Sequence, residues 1–303
     1  MASLWVFGYH RAMTSSKAAQ GVARWVAFLV ALVVVGPVIG WIAGRIPPVP
    51  GAAQGTFLVS SSSVMGFVGI AACAVLTVVM GMVASRVVST GLGLTCAGVA
   101  LAWATFHTGH LPDLARAVDP TSLGRSLTVE GAIVGVFTLV AAIAIARRGW
   151  PDEPFAVKSM LSGSALAGAA VATAAGMAAA WVIAQDDKPG QTLAAAFAAG
   201  AAGAALARTV VHGAPRSSVL LAIPIGAVLC PLVGFAMTSG SMDTAILGGR
   251  VSPWARIMPI DWCAGMLIGI PLGLSWAGSM IEKSHAGAAS TTGSTPGPVT
   301  AAS

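Results

Sequence analysis

The 303-residue chain is 56% hydrophobic and only 9% charged, with a formal net charge of +6. Soluble domains carry about 25% charged residues, so this composition excludes an ordinary soluble enzyme or binding domain. The basic residues stand mostly singly at the ends of apolar runs, where membrane proteins place them, and this excludes the nucleic-acid partner that the net charge alone would suggest.

A helix that crosses a bilayer needs about 20 mostly apolar residues. Eight stretches meet that requirement, at roughly 22–44, 63–84, 87–106, 128–147, 160–184, 192–211, 218–238 and 258–281. Runs such as 26–42 and 134–146 are continuously apolar, without the alternation of a barrel strand, so the backbone must satisfy its polar groups as helices. The predicted fold is all-α: a polytopic helical membrane protein with about eight transmembrane helices in contact with the lipid bilayer. Residues 1–21 form a short lead and residues 22–284 the bundle. Residues 285–303 are nearly all Ala, Ser, Thr, Gly and Pro, cannot bury a core, and read as a disordered tail. The first span has a basic flank, but its apolar run exceeds the 7–15 residues of a signal-peptide core, so it reads as a retained anchor.

Lysine and arginine placement sets the orientation. With the N-terminus in the cytosol, ten of the sixteen basic residues fall on cytosolic segments and six on outer ones. This bias places both termini inside a bacterial-type inner (plasma) membrane and puts loops 107–127 and 239–257 outside. These long loops recur at the same place in two sets of four spans. Arg125 stands five residues before Glu130, Arg256 stands five before Asp261, and glycines follow each acid. Four spans per half is even, so a duplication would give two parallel four-helix halves.

Small residues recur at every fourth position in the fifth and sixth spans, including Gly168 and Gly176, then Gly200 and, on the neighbouring row, Gly203. The last span repeats the device with Gly265 and Gly269. Residues four apart share a helix face, and small ones let two backbones approach closely in lipid. Pro37, Pro224, Pro231 and Pro271 interrupt spans, and the pair in the seventh predicts a kink there. Tryptophans at span ends, among them Trp25, Trp41 and Trp262, fit interfacial belts.

Glu130 and Asp261 are expected at the outer starts of the fourth and eighth spans. Intramembrane acids are functional candidates by default. The bland reading is a helix-start acid paired with its own arginine. His107 and His110 precede Asp113 at three-residue intervals, a ligand-like spacing, but Gly109 and Pro112 argue that the helix ends there. Cys73, Cys96, Cys230 and Cys263 lie singly in apolar segments, which signals neither a zinc site nor a disulfide framework. No HExxH, GxxxxGK or GxGxxG motif is present. No cofactor, metal or catalytic residue is therefore assigned. The leading expectation is a non-catalytic scaffold or accessory subunit that packs through its small-residue faces, with other membrane subunits as partners. The alternative is a small-solute or ion transporter with Glu130, Asp261, His107 and His110 at a site near the outer surface.

Overall fold

The computed structural model describes residues 18–147, 149, 150, 153, 155–238 and 242–292, with backbone alone for 243, 247 and 283–292. The first 17 residues of the expected lead and residues 293–303 of the expected tail lie outside the described residues, whereas residues 285–292, expected to be disordered, continue the last helix. Among the described residues, seven helices are long and apolar enough to cross a membrane: α1 (Ala18–Ala43), α2 (Ser63–Val87), α5 (Pro120–Ala146), α6 (Gly163–Ile183), α7 (Pro189–Val210), α8 (Arg216–Ala236) and α11 (Pro259–Thr292, apolar through Glu282). The third expected span is a shorter helix, α3 (Thr90–Thr105), of 16 residues. Short helices α4 (Leu111–Ala115), α9 (Met242–Leu247) and α10 (Pro253–Arg256) fill the loops of one end.

Local chemistry explains the boundaries. Ser62, Ser89 and Ser162 cap α2, α3 and α6 by accepting a backbone N–H three residues on, which satisfies one of the orphan donors of a helix start. Asp119 does the same for α5 by accepting from the Ser122 N–H, with Pro120 in the first turn. That cap starts α5 eight residues earlier than the hydropathy suggested, so Glu130 lies in its third turn and not at its beginning. In α1, Pro37 can donate no backbone hydrogen bond. The helix widens to a π-turn over Ala31–Val35 just before it, with the Gly36 N–H reaching Ala31 O, as expected where an i→i−4 ladder is interrupted. Pro224 sits in the first α-helical turn of α8, after a 3₁₀ segment at Arg216–Leu221, where a missing N–H breaks nothing. Only Pro231 lies inside the α-helical part of α8.

The bundle has two ends. At the first, which we call the loop end, the segments 44–62, 106–119, 184–188 and 242–258 meet: Gly109 N–H donates to Gly55 O, and the Arg256 guanidinium donates to Gln185 O. At the opposite end, Thr90 Oγ1 donates to Gly149 O at 2.5 Å, and the Arg216 N–H donates to the Glu153 carboxylate at 3.0 Å. Helix α11 is central. It packs on α7, α3, α8 and α5. Trp262 is fully buried against Gly226 and donates its indole N–H to Ile223 O at 3.1 Å. It is thus a core residue and not the belt residue its position suggested. Trp25 and Trp41 are exposed on α1.

Glycine decides the tightest contacts. Gly269 lies on the backbone of Phe197, Gly200 and Ala201, Gly265 on that of Ala196 and Phe197, and Gly203 on that of Ala172. Gly176 approaches Ala199 O, whereas Gly168 faces Ser218 and Ala214 and not a helix of its own hairpin. A side chain at the first three positions would meet backbone, which cannot swing away. Gly269→Leu is therefore expected to lower the midpoint of thermal unfolding in detergent, by at least the ~1–3 kcal/mol of ordinary overpacking. Gly278 stands in open space, where an added Cβ would meet nothing within 4 Å. It should accept alanine with a gain of about 0.5–1 kcal/mol. Equal midpoints for the two variants would contradict the contact.

Candidate functional site

The segment between α1 and α2 turns back into the bundle at Thr56–Val59. Thr56 N–H donates to Val59 O, and Val59 N–H returns to Thr56 Oγ1, both at 3.0 Å. Thr56, Phe57 and Val59 are all buried. Non-helical backbone survives at such depth only when protein covers it and its polar groups are satisfied. Glu130 supplies the acceptor. Its Oε2 receives Thr56 Oγ1 at 2.5 Å and Leu58 N–H at 2.8 Å, and the amides of Phe57 and Val59 also face it. At 1.5 Å per residue Glu130 stands about 15 Å along α5 from Pro120, and it is 1% exposed. The carboxylate thus latches a small backbone nest into the loop end.

Asp261 is equally buried but differently placed. It lies in the first turn of α11, and neither carboxylate oxygen has a hydrogen-bond partner among the described residues. The polar groups facing it are the Thr192 hydroxyl and the Met258 backbone, and that hydroxyl donates instead to Pro189 O at 3.1 Å. Neither acid has a salt bridge among the described residues. Arg256 donates to Gln185 O, to Gly249 O at 2.7 Å and to Val251 O at 3.4 Å, all backbone. Arg125 is exposed. The two acids therefore share no partner. Cys263 lies within electrostatic reach of both and beside the Thr138 hydroxyl.

Below the Thr56–Val59 turn is a cavity of about 20 Å³ lined by Phe57, Cys73, Thr77, Thr138 and Ile260 among others. The Thr77 hydroxyl is buried without a partner. That space holds about one water molecule, which would satisfy Thr77.

The two histidines part company because α3 ends at Thr105. His107 bonds Trp103 O through Nδ1 at 2.8 Å, stacks on the Trp103 ring, and lies under Gly40 of α1. His110 precedes α4 on the far side of Gly109, within reach of Asp113 and Asp187. Among the described residues no group of three His, Cys, Asp or Glu side chains could hold a metal ion. Burial pushes the His110 imidazole below its ordinary value, with both carboxylates pulling the other way. Nearby, the Lys188 ammonium at 2.7 Å holds Asp186 down to about 2.

Sequence reasoning singled out Glu130 but missed Thr56 and Leu58, because residues more than 70 positions away carry no spacing signal. The serine-rich loop around them was the only hint. The chain matches no family model, no curated protein and no solved structure.

The latch and the buried imidazole each have a measurable consequence. Glu130→Ala should lower stability by roughly 2 kcal/mol or more, since it leaves the Thr56 hydroxyl and the Leu58 amide buried without an acceptor, at about 1–3 kcal/mol each. It should also make Cys73, walled in by Phe57, reactive toward a small membrane-permeant maleimide. Glu130→Gln keeps one acceptor and should do both less; unchanged Cys73 labelling in Glu130→Ala would break the latch. For His110 the sign is set by burial. The folded protein holds the proton less tightly than the unfolded chain, whose histidine titrates near 6.5. Stability is then full above that pH, falls as the pH drops below it, and levels off below the lowered folded value. His110→Gln should flatten that part of the melting-temperature profile between pH 7.5 and 5.

Proposed function

We propose that the chain is a non-catalytic integral membrane protein that crosses the bilayer eight times and serves as a scaffold or accessory subunit. The observation that supports this reading is that no large enclosed cavity is found among the described residues. The hollow beneath the Thr56–Val59 turn has room for about one water and is walled mainly by apolar groups, the one beside Gln185 and Asp187 measures about 140 Å³, and the larger ones, of about 560 and 440 Å³, lie more open. Ligand sites occupy about 300–1,000 Å³ and enclose most of their occupant. A bundle held by glycine-to-backbone contacts is also stiff, which suits a part that positions other subunits.

The eighth crossing is α3. Its 16 residues span only about 24 Å, short of the ~30 Å hydrocarbon layer. Two observations support the assignment. Its first turn bonds Gly149 at one end of the bundle, and the segment just after it bonds Gly55 at the other. Eleven of its residues are buried, so protein and not lipid sets the length it needs. With eight crossings both termini share a side, and the basic-residue bias makes that side the cytosol. Parallel halves are supported by the pairing of helices: α5 on α8 and α11 on α3 are one contact with the halves exchanged, as are α2 on α5 and α7 on α11. The α2–α3 hairpin has no such counterpart.

A second reading, an ion or proton carrier, is favoured by one observation, the unpartnered carboxylate of Asp261. Purified protein in liposomes should show no proton or sodium flux above that of empty liposomes, and should co-purify with a stoichiometric membrane subunit in mild detergent. Flux that Asp261→Asn abolishes would replace the scaffold by the carrier. Topology is tested separately. In a cysteine-free background, Ser122→Cys at the loop end should react with an impermeant thiol reagent on intact cells, and Ser159→Cys at the other end only after lysis. The reverse pattern would invert the protein.

A further inference from the structure

The 560 Å³ hollow at the loop end has a chemistry of its own. It is a groove between α5 and α8, lined by Gly124, Arg125 and Val129 on one side and Pro231, Leu232 and Phe235 on the other. Its shape follows from the sequence. Pro231 has no N–H to give the Ala227 carbonyl four residues back, and Gly131 of α5 sits directly on that carbonyl. The two helices are thereby clamped together at that level. Nearer the loop end Gly124 offers no side chain, and the Phe235 ring lies against it, 3.0 Å from where a Cβ would be. The surface beside this contact is left hollow. Val129 and Leu232 on its walls are 53% and 50% exposed, far more than a water-facing surface would favour for two such neighbours.

At the rim stands Arg125. It is exposed, and among the described residues it has neither an ion pair nor a hydrogen bond. Helix α5 is 27 residues long, about 40 Å, so its end turns project beyond a ~30 Å hydrocarbon layer. Arg125 lies about 7 Å from its start, close to the edge of the hydrocarbon layer, from which its long side chain reaches the lipid headgroups. A guanidinium at that depth beside an apolar groove matches a phosphodiester joined to an acyl chain. The planar donor fork suits phosphate oxygens, and the groove replaces lipid neighbours along the chain. A soluble anion would use the arginine and leave the groove empty.

We infer that this groove binds one phospholipid of the leaflet at the loop end, its acyl chain against Val129, Leu232 and Phe235 and its phosphate on Arg125. The site does not depend on whether the protein is a scaffold or a carrier, only on its lying in a bilayer. The test is native mass spectrometry of the full chain released from mild detergent, titrated with dioleoyl phosphatidylglycerol or dioleoyl phosphatidylcholine. Wild-type protein should bind one lipid well ahead of the rest, phosphatidylglycerol more tightly than phosphatidylcholine. Arg125→Gln should weaken that first binding about tenfold, the loss expected for one charge-assisted contact. Leu232→Trp, which fills the groove while keeping the arginine, should weaken both lipids alike. Arg45→Gln, which alters an arginine resting on the Trp41 ring, should leave the first binding unchanged, and unfolding midpoints should stay within a few degrees throughout. Three results would overturn the inference: equal first binding in Arg125→Gln and wild type, full displacement of the lipid by inorganic phosphate, or a dimer that Arg125→Gln dissolves, which would mean that a second copy covers the groove.

Discussion

Inside a bilayer two helices gain nothing by hiding apolar surface from each other, because lipid tails are as apolar as leucine. Association must come from close contact, and the contact between α7 and α11 is the closest kind available. Gly265, Gly269 and Gly273 of α11 lie on the backbone of Ala196, Phe197 and Ala201. Everything else in the bundle is arranged around that seam. On its other faces α11 touches α3 through Gly98, which meets Ala264 and Ile268, and α8 through Trp262, which fills the space left by Gly226. The chain thus alternates two devices along one helix: glycine where backbones must meet, and one large ring where they stand apart.

The same logic repairs the prolines. A proline inside a helix leaves a carbonyl without its donor, and in lipid there is no water to take its place. The carbonyl freed by Pro231 is covered by Gly131 of the neighbouring helix, whose Cα–H groups offer weak donors. The carbonyl problem at Pro37 is met within the helix itself by a π-turn. Pro224 needs no repair, since it stands in the first α-helical turn. Three prolines that look alike in the sequence therefore have three different structural costs.

How much of this was legible in the chain follows from what hydropathy measures. It reports apolar length, and it located α1, α2, α6, α7 and α8 to within a few residues, and the start but not the end of α11, whose helix runs on to Thr292. It misjudged α5, because the Asp119–Pro120 cap lies upstream of the apolar run, in a stretch containing Arg125 and several Ser and Thr residues. The four-residue spacing of glycines is local and readable, but which helix each glycine meets is not: nothing in the ridge of α6 says that Gly168 faces the turn before α8 while Gly176 faces α7. Trp262 and Trp41 are indistinguishable as letters near a span end, yet one is the largest buried side chain and the other faces outward. The partner of Glu130 was the least readable feature, since a turn more than 70 residues earlier supplies it.

That partner separates the two acids that the sequence presented as a pair. Glu130 has converging donors on its carboxylate: a hydroxyl, a bonded amide and two more amides facing it. These replace part of the hydration that burial removed, and by accepting them the group fixes the turn beside the cavity lined by Phe57 and Thr77. Asp261 has the same burial, but the Thr192 hydroxyl and the Met258 backbone that face it make no hydrogen bond to its oxygens. A bare carboxylate in such a place is costly, and the cost is avoided only if a proton or a cation accompanies it. One acid is thus explained fully by the protein around it, and the other is not. If the chain acts on anything that carries charge, the physical argument points to Asp261 and the neighbouring Thr192 and Cys263, with Glu130 as the latch that keeps the region closed.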